Sequence, residues 1–202
     1  DIYRVEDIAK RFAWPADARR GQRWTCIAAH PAALALGDAV GVLLVCQLPD
    51  GAPRVSLQVH ASAIRGISFS PRGDFIATAG EDGMVGLYDV KKSSVNLLKG
   101  HSGAVNSVAW NSEGKLLASG SEDGSVRVWS APDWRELAEF TGRKSPVRCV
   151  GFCPVSGLLV SGNRSGQVLF RRVPSGETIH RIVEHSGAIE YLGFLPRKSF
   201  LM

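Results

Sequence analysis

Thirty residues beginning at His101, HSGAVNSVAWNSEGKLLASGSEDGSVRVWS, align without a gap beneath HASAIRGISFSPRGDFIATAGEDGMVGLYD from His60. The offset is 41 throughout: His60 stands over His101, Phe69 over Trp110, Asp82 over Asp123 and Tyr88 over Trp129. A third copy enters at Lys144 with an offset of 42, and a fourth opens as HSGAIEYLGFLPRKSF at His185. An eroded copy, WTCIAAHPAALALGDAVGVLLVCQL, runs from Trp24. A period of this length is one supersecondary unit that cannot bury its apolar faces alone and must stack on its own copies.

Inside each copy the periodicity is that of strands. AVNSVAW, LLASG and SVRVW are short, β-branched or alternating, and parted by Gly, Ser, Asp and Pro. A fourth, more polar strand precedes each repeat start: RVSLQVH, SVNLLKG, RELAEFT and ETIHRIV. Four strands per repeat make a small antiparallel sheet, and stacked sheets of this kind make an all-β fold, the β-propeller. About four and a half four-stranded blades are expected. The divisions fall at 1–23 (the end of a preceding blade plus a connector), 24–60 (a degenerate blade), 61–100 (a blade), 101–142 (a blade), 143–184 (a degenerate basic blade) and 185–202 (the start of the next). Seven such blades, the number implied by the family that these repeats resemble, would need roughly 290 residues, so the expectation is one incomplete domain of a seven-bladed propeller continued at both ends. The connector, DIAKRFAWPADARRGQR at 7–23, reads either as a short amphipathic helix or as a surface excursion.

Ser119, His101 and Asp123 invite comparison with a hydrolase triad. A catalytic set is needed only once, whereas this one recurs as Thr78, His60 and Asp82. The pattern therefore reads as a structural hydrogen-bond lock, and no catalytic residue is assigned. The five histidines (His30, His60, His101, His180, His185) lack metal-ligand spacing, and no metal or cofactor is assigned. Cys149 and Cys153 would lie about 13 Å apart along a strand, too far for a bridge or a shared ion. The four cysteines read as reduced thiols of an intracellular protein. No stretch reaches the ~20 apolar residues of a membrane span, so no membrane partner is expected.

Net charge is +5, and the surplus lies late in the chain. Residues 1–130 hold 14 Lys/Arg against 13 Asp/Glu, and residues 131–202 hold 10 against 6. In a propeller, the loop entering each blade and the turn between its second and third strands gather on one face. Here that face includes Arg143, Lys144, Arg148 and Arg164, candidates for contact with DNA or an acidic peptide. The residues admit three readings: a phosphate-backbone contact, a seat for an acidic protein segment, or a solubilising surface.

Gly100-His101, the string LLASGSEDGSVRVW and the 41-residue period resemble the WD-repeat family. The resemblance implies that His101, Ser119, Asp123 and Trp129 form one complete lock. It implies a second from His60, Thr78, Asp82 and Tyr88, with phenol in place of indole. Arg143, Ser161, Ser165 and Arg171 occupy the same places in the next unit, where the lock is expected to be broken. The order of DIYRVED, WTC, CQLPDGAP, one well-formed blade pair and VLFRRVPSG resembles the amino-terminal propeller of the acidic nucleoplasmic DNA-binding protein family. That family comprises replisome adaptors that tether DNA polymerase alpha–primase to the replicative helicase and support sister-chromatid cohesion. The resemblance implies a non-enzymatic, nuclear, chromatin-associated scaffold. Its helicase and polymerase contacts, and any homo-oligomer, would be made mainly through regions absent here. The competing expectation is a WD-repeat adaptor of another pathway: a ubiquitin-ligase receptor, vesicle coat or signalling scaffold.

Overall fold

A computed structural model describes residues 23–131, 133–141, 145–194 and, as backbone, 195 and 198–201. The opening string DIYRVED, the connector up to Gln22, and Arg143 and Lys144 lie outside the described residues. Every described element is a strand or a turn.

The first sheet joins β1 (Trp24–His30), β2 (Ala33–Asp38), β3 (Val42–Gln47) and β4 (Pro53–Gln58) in chain order, antiparallel throughout. The second repeats the plan with β5 (Ile64–Phe69), β6 (Phe75–Gly80), β7 (Val85–Asp89) and β8 (Ser94–Leu98). The third contains β9 (Val105–Trp110), β10 (Leu116–Ser121), β11 (Ser125–Ser130) and β12 (Glu136–Thr141). The fourth contains β13 (Val147–Phe152), β14 (Leu159–Asn163), β15 (Val168–Arg171) and β16 (Thr178–Ile182). A hairpin of β17 (Gly193–Leu195) and β18 (Lys198–Leu201) follows. These sheets are propeller blades.

The second strand of each blade shows why the blades must stack. Successive side chains of a strand point to opposite faces. Leu117 packs with Ala77, Val85, Leu87 and Trp110, towards the second blade. Its neighbour Ala118 packs with Val147, Val150, Phe152 and Leu159, towards the fourth. Both residues are fully buried. Burial on both faces gives β10 its nearly continuous run of small and apolar residues, LLASGS, in place of polar alternation. The outer strands β4 and β8 instead carry exposed residues along most of their length.

The innermost strands β1, β5, β9 and β13 lie side by side. Each contains a bulge at one repeated position: Thr25, Arg65, Asn106 and Arg148 have no partner in the register of the next strand. A bulge re-aims the side chain it carries. These four residues, brought to the inner rim of the blade stack, frame the site described next.

Candidate functional site: the clasps and the charged rim

In the third blade His101 follows β8 and precedes β9, so its loop is the covalent link from the second blade. Its side chain is 1 % exposed. Nδ1 lies 3.1 Å from Asp123 Oδ2, and Nε2 lies 2.8 Å from Ser119 Oγ. Trp129 Nε1–H donates to the same Ser119 Oγ at 3.0 Å. One tautomer satisfies the whole chain. Trp129 donates to Ser119, the Ser119 hydroxyl donates to His101 Nε2, and His101 Nδ1–H donates to Asp123. The aspartate closes the loop further, accepting from Ser102 N–H at 2.9 Å and from Ser125 through N–H at 2.8 Å and Oγ–H at 2.7 Å. The turn that presents it ends on Gly124 with φ 84°, a left-handed conformation that glycine adopts without cost.

The protonation states follow from these surroundings. Burial pulls the His101 imidazole below its ordinary value, opposed by the Asp123 charge, so the ring stays neutral near pH 7. Burial raises the Asp123 carboxyl, but the hydrogen bonds from Ser125 and Ser102 outweigh it and hold the group at about 2. A neutral imidazole beside a carboxylate, with every donor spent, is a clasp between loop and blade.

The second blade repeats most of this. His60 is buried, with Nδ1 at 3.0 and 3.1 Å from the two Asp82 oxygens and Nε2 at 2.7 Å from Thr78 Oγ1. Asp82 accepts from Ala61 N–H at 3.0 Å and Met84 N–H at 3.1 Å. Tyr88 departs from the expectation of phenol in place of indole. It packs among Val45, Val59, Ile64 and Ile76 and makes no hydrogen bond to Thr78. The indole N–H sits on the five-membered ring, whereas a phenol carries its oxygen at the far end of the ring, so the two do not present a donor at the same point.

In the fourth blade Ser161, Ser165 and Arg171 form no such four-membered lock, and other bonds stand at its places. Arg171, buried where the indole would stand, donates to Ser161 Oγ at 3.3 Å and lies 5.6 Å from the centroid of the Phe140 ring. Ser165, at the aspartate position, pairs its hydroxyl with that of Ser145 at 2.8 Å. Capping of the turn passes to Asn163, whose Oδ1 accepts from Ser165 N–H and Gln167 N–H, each at 3.0 Å.

Beside the clasps runs a rim of mixed charge that motif reading missed. Arg65 bridges to Glu81, to Asn106 Oδ1 at 2.8 Å and to Glu122 at 3.3 Å. Glu122 also accepts from Asn106 Nδ2 at 3.2 Å and pairs with Arg148 at 2.7 Å. Arg148 Nε stands 3.7 Å from Glu190. Arg148 is thus half-buried and tied by two carboxylates, not a free cation as the patch reading expected. Arg164 is exposed and has no ion pair among the described residues. Offset arithmetic was the signal available: Arg65, Asn106, Arg148 and Glu190 are spaced by 41, 42 and 42.

Burial pushes Cys149 up to about 12 and Cys26 up to about 11, which suppresses the thiolate that nucleophilic attack requires. No cluster of three His, Cys, Asp or Glu suited to a metal occurs among the described residues. No described helix is long and apolar enough to cross a membrane.

Stacked four-stranded blades, the second to fourth each tied to the loop that enters it, define a β-propeller built of repeats. The WD domain, G-beta repeat family matches at residues 51–89, 92–130 and 134–170, and the chain belongs to that family. Each matched repeat begins on the outer strand of one blade and ends on the third strand of the next, so the clasp lies within one repeat while binding two blades. A similar protein is WD repeat-containing protein SL1-17 of Schistosoma mansoni, 36 % identical over 58 residues. That alignment covers 29 % of this chain and spans only 19 % of the relative's length.

Proposed function

We propose that the chain is a non-enzymatic scaffold whose loop-and-rim face docks other proteins. One observation carries this reading. The described Ser–His–Asp sets are spent on the fold: Ser119 is fully buried, His101 is sealed, and the hydroxyl that would attack a substrate already bonds indole and imidazole. A nucleophile needs an approach path, and the fully buried Ser119 has none.

The alternating signs of Arg65, Glu81, Glu122, Arg148 and Glu190 favour a protein segment over nucleic acid, because a phosphate backbone selects a surface of one sign. In finer terms we propose a replisome adaptor acting in DNA replication and sister-chromatid cohesion. It would be nuclear and chromatin-associated, and coupled to the replicative helicase and DNA polymerase alpha–primase. The support is the blade order and the strings DIYRVED, CQLPDGAP and VLFRRVPSG. Crosslinking of the full-length protein in cell extract is expected to map helicase and polymerase subunits to it. A map dominated by ubiquitin-ligase, coat or kinase subunits would overturn that assignment in favour of another WD-repeat pathway. For DNA, changing Arg143, Lys144 and Arg164 together to Ala is expected to leave retention on a DNA column unchanged. A clear loss of retention with a flatter salt slope would favour the phosphate-contact reading instead.

A further inference from the structure

We propose that Ser145 is a phosphorylation site, and that its phosphoryl group supplies in the fourth blade the anion that Asp82 and Asp123 supply in the second and third. The two earlier blades carry Glu81-Asp82 and Glu122-Asp123 in the turn between their second and third strands; the fourth carries Arg164-Ser165. Two negative charges have been exchanged for one positive charge at a junction otherwise built around an acceptor. In the second blade that acceptor takes Ala61 N–H, and in the third Ser102 N–H. In the fourth, the junction is closed by the uncharged Ser145–Ser165 hydroxyl pair, with Ser165 N–H directed at Ser145 Oγ at 3.2 Å. A phosphoryl group on Ser145 meets that N–H, the Ser165 hydroxyl and the exposed Arg164 guanidinium of the same turn. Such donors give short, charge-assisted hydrogen bonds.

Access agrees with this assignment. Ser145 is half-buried, and it precedes Pro146. A serine followed by proline suits kinases whose pocket admits no backbone N–H at the next residue. The chain has a second Ser-Pro pair, Ser70-Pro71, which serves as an internal contrast. Ser70 is buried, and its hydroxyl caps a turn by accepting from Phe75 N–H at 3.0 Å. Transfer is balanced in the usual way. Ser145 Oγ attacks the γ-phosphorus of a nucleoside triphosphate, the bond to the β–γ bridging oxygen breaks, and nucleoside diphosphate leaves. The hydroxyl proton passes to the base of the kinase.

The test is treatment of the full, folded chain with Mg·ATP and a purified proline-directed serine/threonine kinase, followed by mass-spectrometric site mapping. About one phosphate per chain is expected, at Ser145 and not at Ser70, lost in Ser145→Ala and kept in Ser165→Ala. Modification of Ser145 only in the heat-unfolded chain would overturn the proposal, because the folded junction would then be closed to the enzyme. So would no incorporation, or incorporation only elsewhere. A phosphorus-31 titration tests the seat itself. The second ionisation of phosphoserine, near 6 when free, is expected to fall in the folded chain and to return in Arg164→Ala. An unmoved ionisation would show that the phosphate does not occupy the aspartate's place.

Discussion

The third and fourth blades share a strand plan, a bulge position and a glycine-ended turn, yet they are fastened by different chemistry. In the third, a buried imidazole joins an indole–hydroxyl pair to a carboxylate that collects three further donors. In the fourth, an arginine replaces the indole, two hydroxyls replace the histidine–aspartate contact, and an asparagine caps the turn. The strand geometry therefore does not depend on the clasp. What the clasp adds is a largely desolvated network in which loss of a member weakens the bonding of those that remain. The fourth blade's substitutes are individually weaker, and its hydroxyl pair is open to solvent.

The comparison breaks most visibly at the indole. Trp129→Ala empties a position packed against Leu117 and Val105 and removes the donor to Ser119, and is expected to cost about 3 to 5 kcal/mol. Arg171→Met is expected to change stability by no more than about 1 kcal/mol, since a desolvated cation without a carboxylate among the described residues gives way to an apolar chain of similar reach. Denaturant midpoints of the two variants measure this directly. Equal losses would mean that Arg171 holds its blade as firmly as Trp129 does.

Asp123→Ala comes next, at about 2 kcal/mol, because it removes the acceptor shared by His101 Nδ1–H, Ser102 N–H and the Ser125 N–H and hydroxyl, and leaves the buried imidazole only Ser125 Oγ at 3.0 Å. Acid should sharpen the contrast without mutation. His101 and His60 are held below the ordinary histidine value by burial. Their contribution is therefore complete above about 6.5 and is lost as pH falls from there, since the unfolded chain takes up protons first. Asp123, held at about 2, gives up its share later, between its ordinary value of 3.8 and about 2. The fourth blade has no buried histidine among the described residues. Hydrogen exchange, corrected for its intrinsic pH dependence, is expected to show opening energies for β6 and β10 falling between pH 7 and 5. Those of β14 should hold steady. A parallel fall in all three would place the pH dependence elsewhere than in the clasps.

These differences explain what the sequence could and could not say. The period and the strand types were legible because each repeats at a fixed offset, and the partners of His101 were legible through the resemblance to WD repeats that the same pattern carries. Tyr88 was misread because a ring can keep its place in the pattern while its polar atom moves by the width of the ring. The Arg171–Ser161 and Ser145–Ser165 bonds were hidden because each arises where the pattern fails, and a failed match is silent about its substitute. Arg148 looked like a free cation because its neutralising partners, Glu122 and Glu190, lie 26 and 42 residues away along the chain. Only stacking of the blades brings them together.

The smallest effect is expected from Ser165→Ala, the counterpart in position of Asp123→Ala, and its smallness is the informative part. Removing the Ser165 hydroxyl deletes one bond, to Ser145 Oγ. The Ser165 N–H keeps its acceptor in Asn163 Oδ1, and the turn keeps its second cap through Gln167 N–H. Ser145 Oγ, left behind, exchanges its partner for water, so no desolvated group is stranded. The cost should then be only the net value of one solvent-exposed hydrogen bond, about 0.5 kcal/mol, against several times that for Asp123→Ala. Thermal midpoints measured side by side give the ratio. A Ser165→Ala loss as large as the Asp123→Ala loss would mean that the hydroxyl pair bears the load of a buried clasp, and the distinction between the two blades would fall.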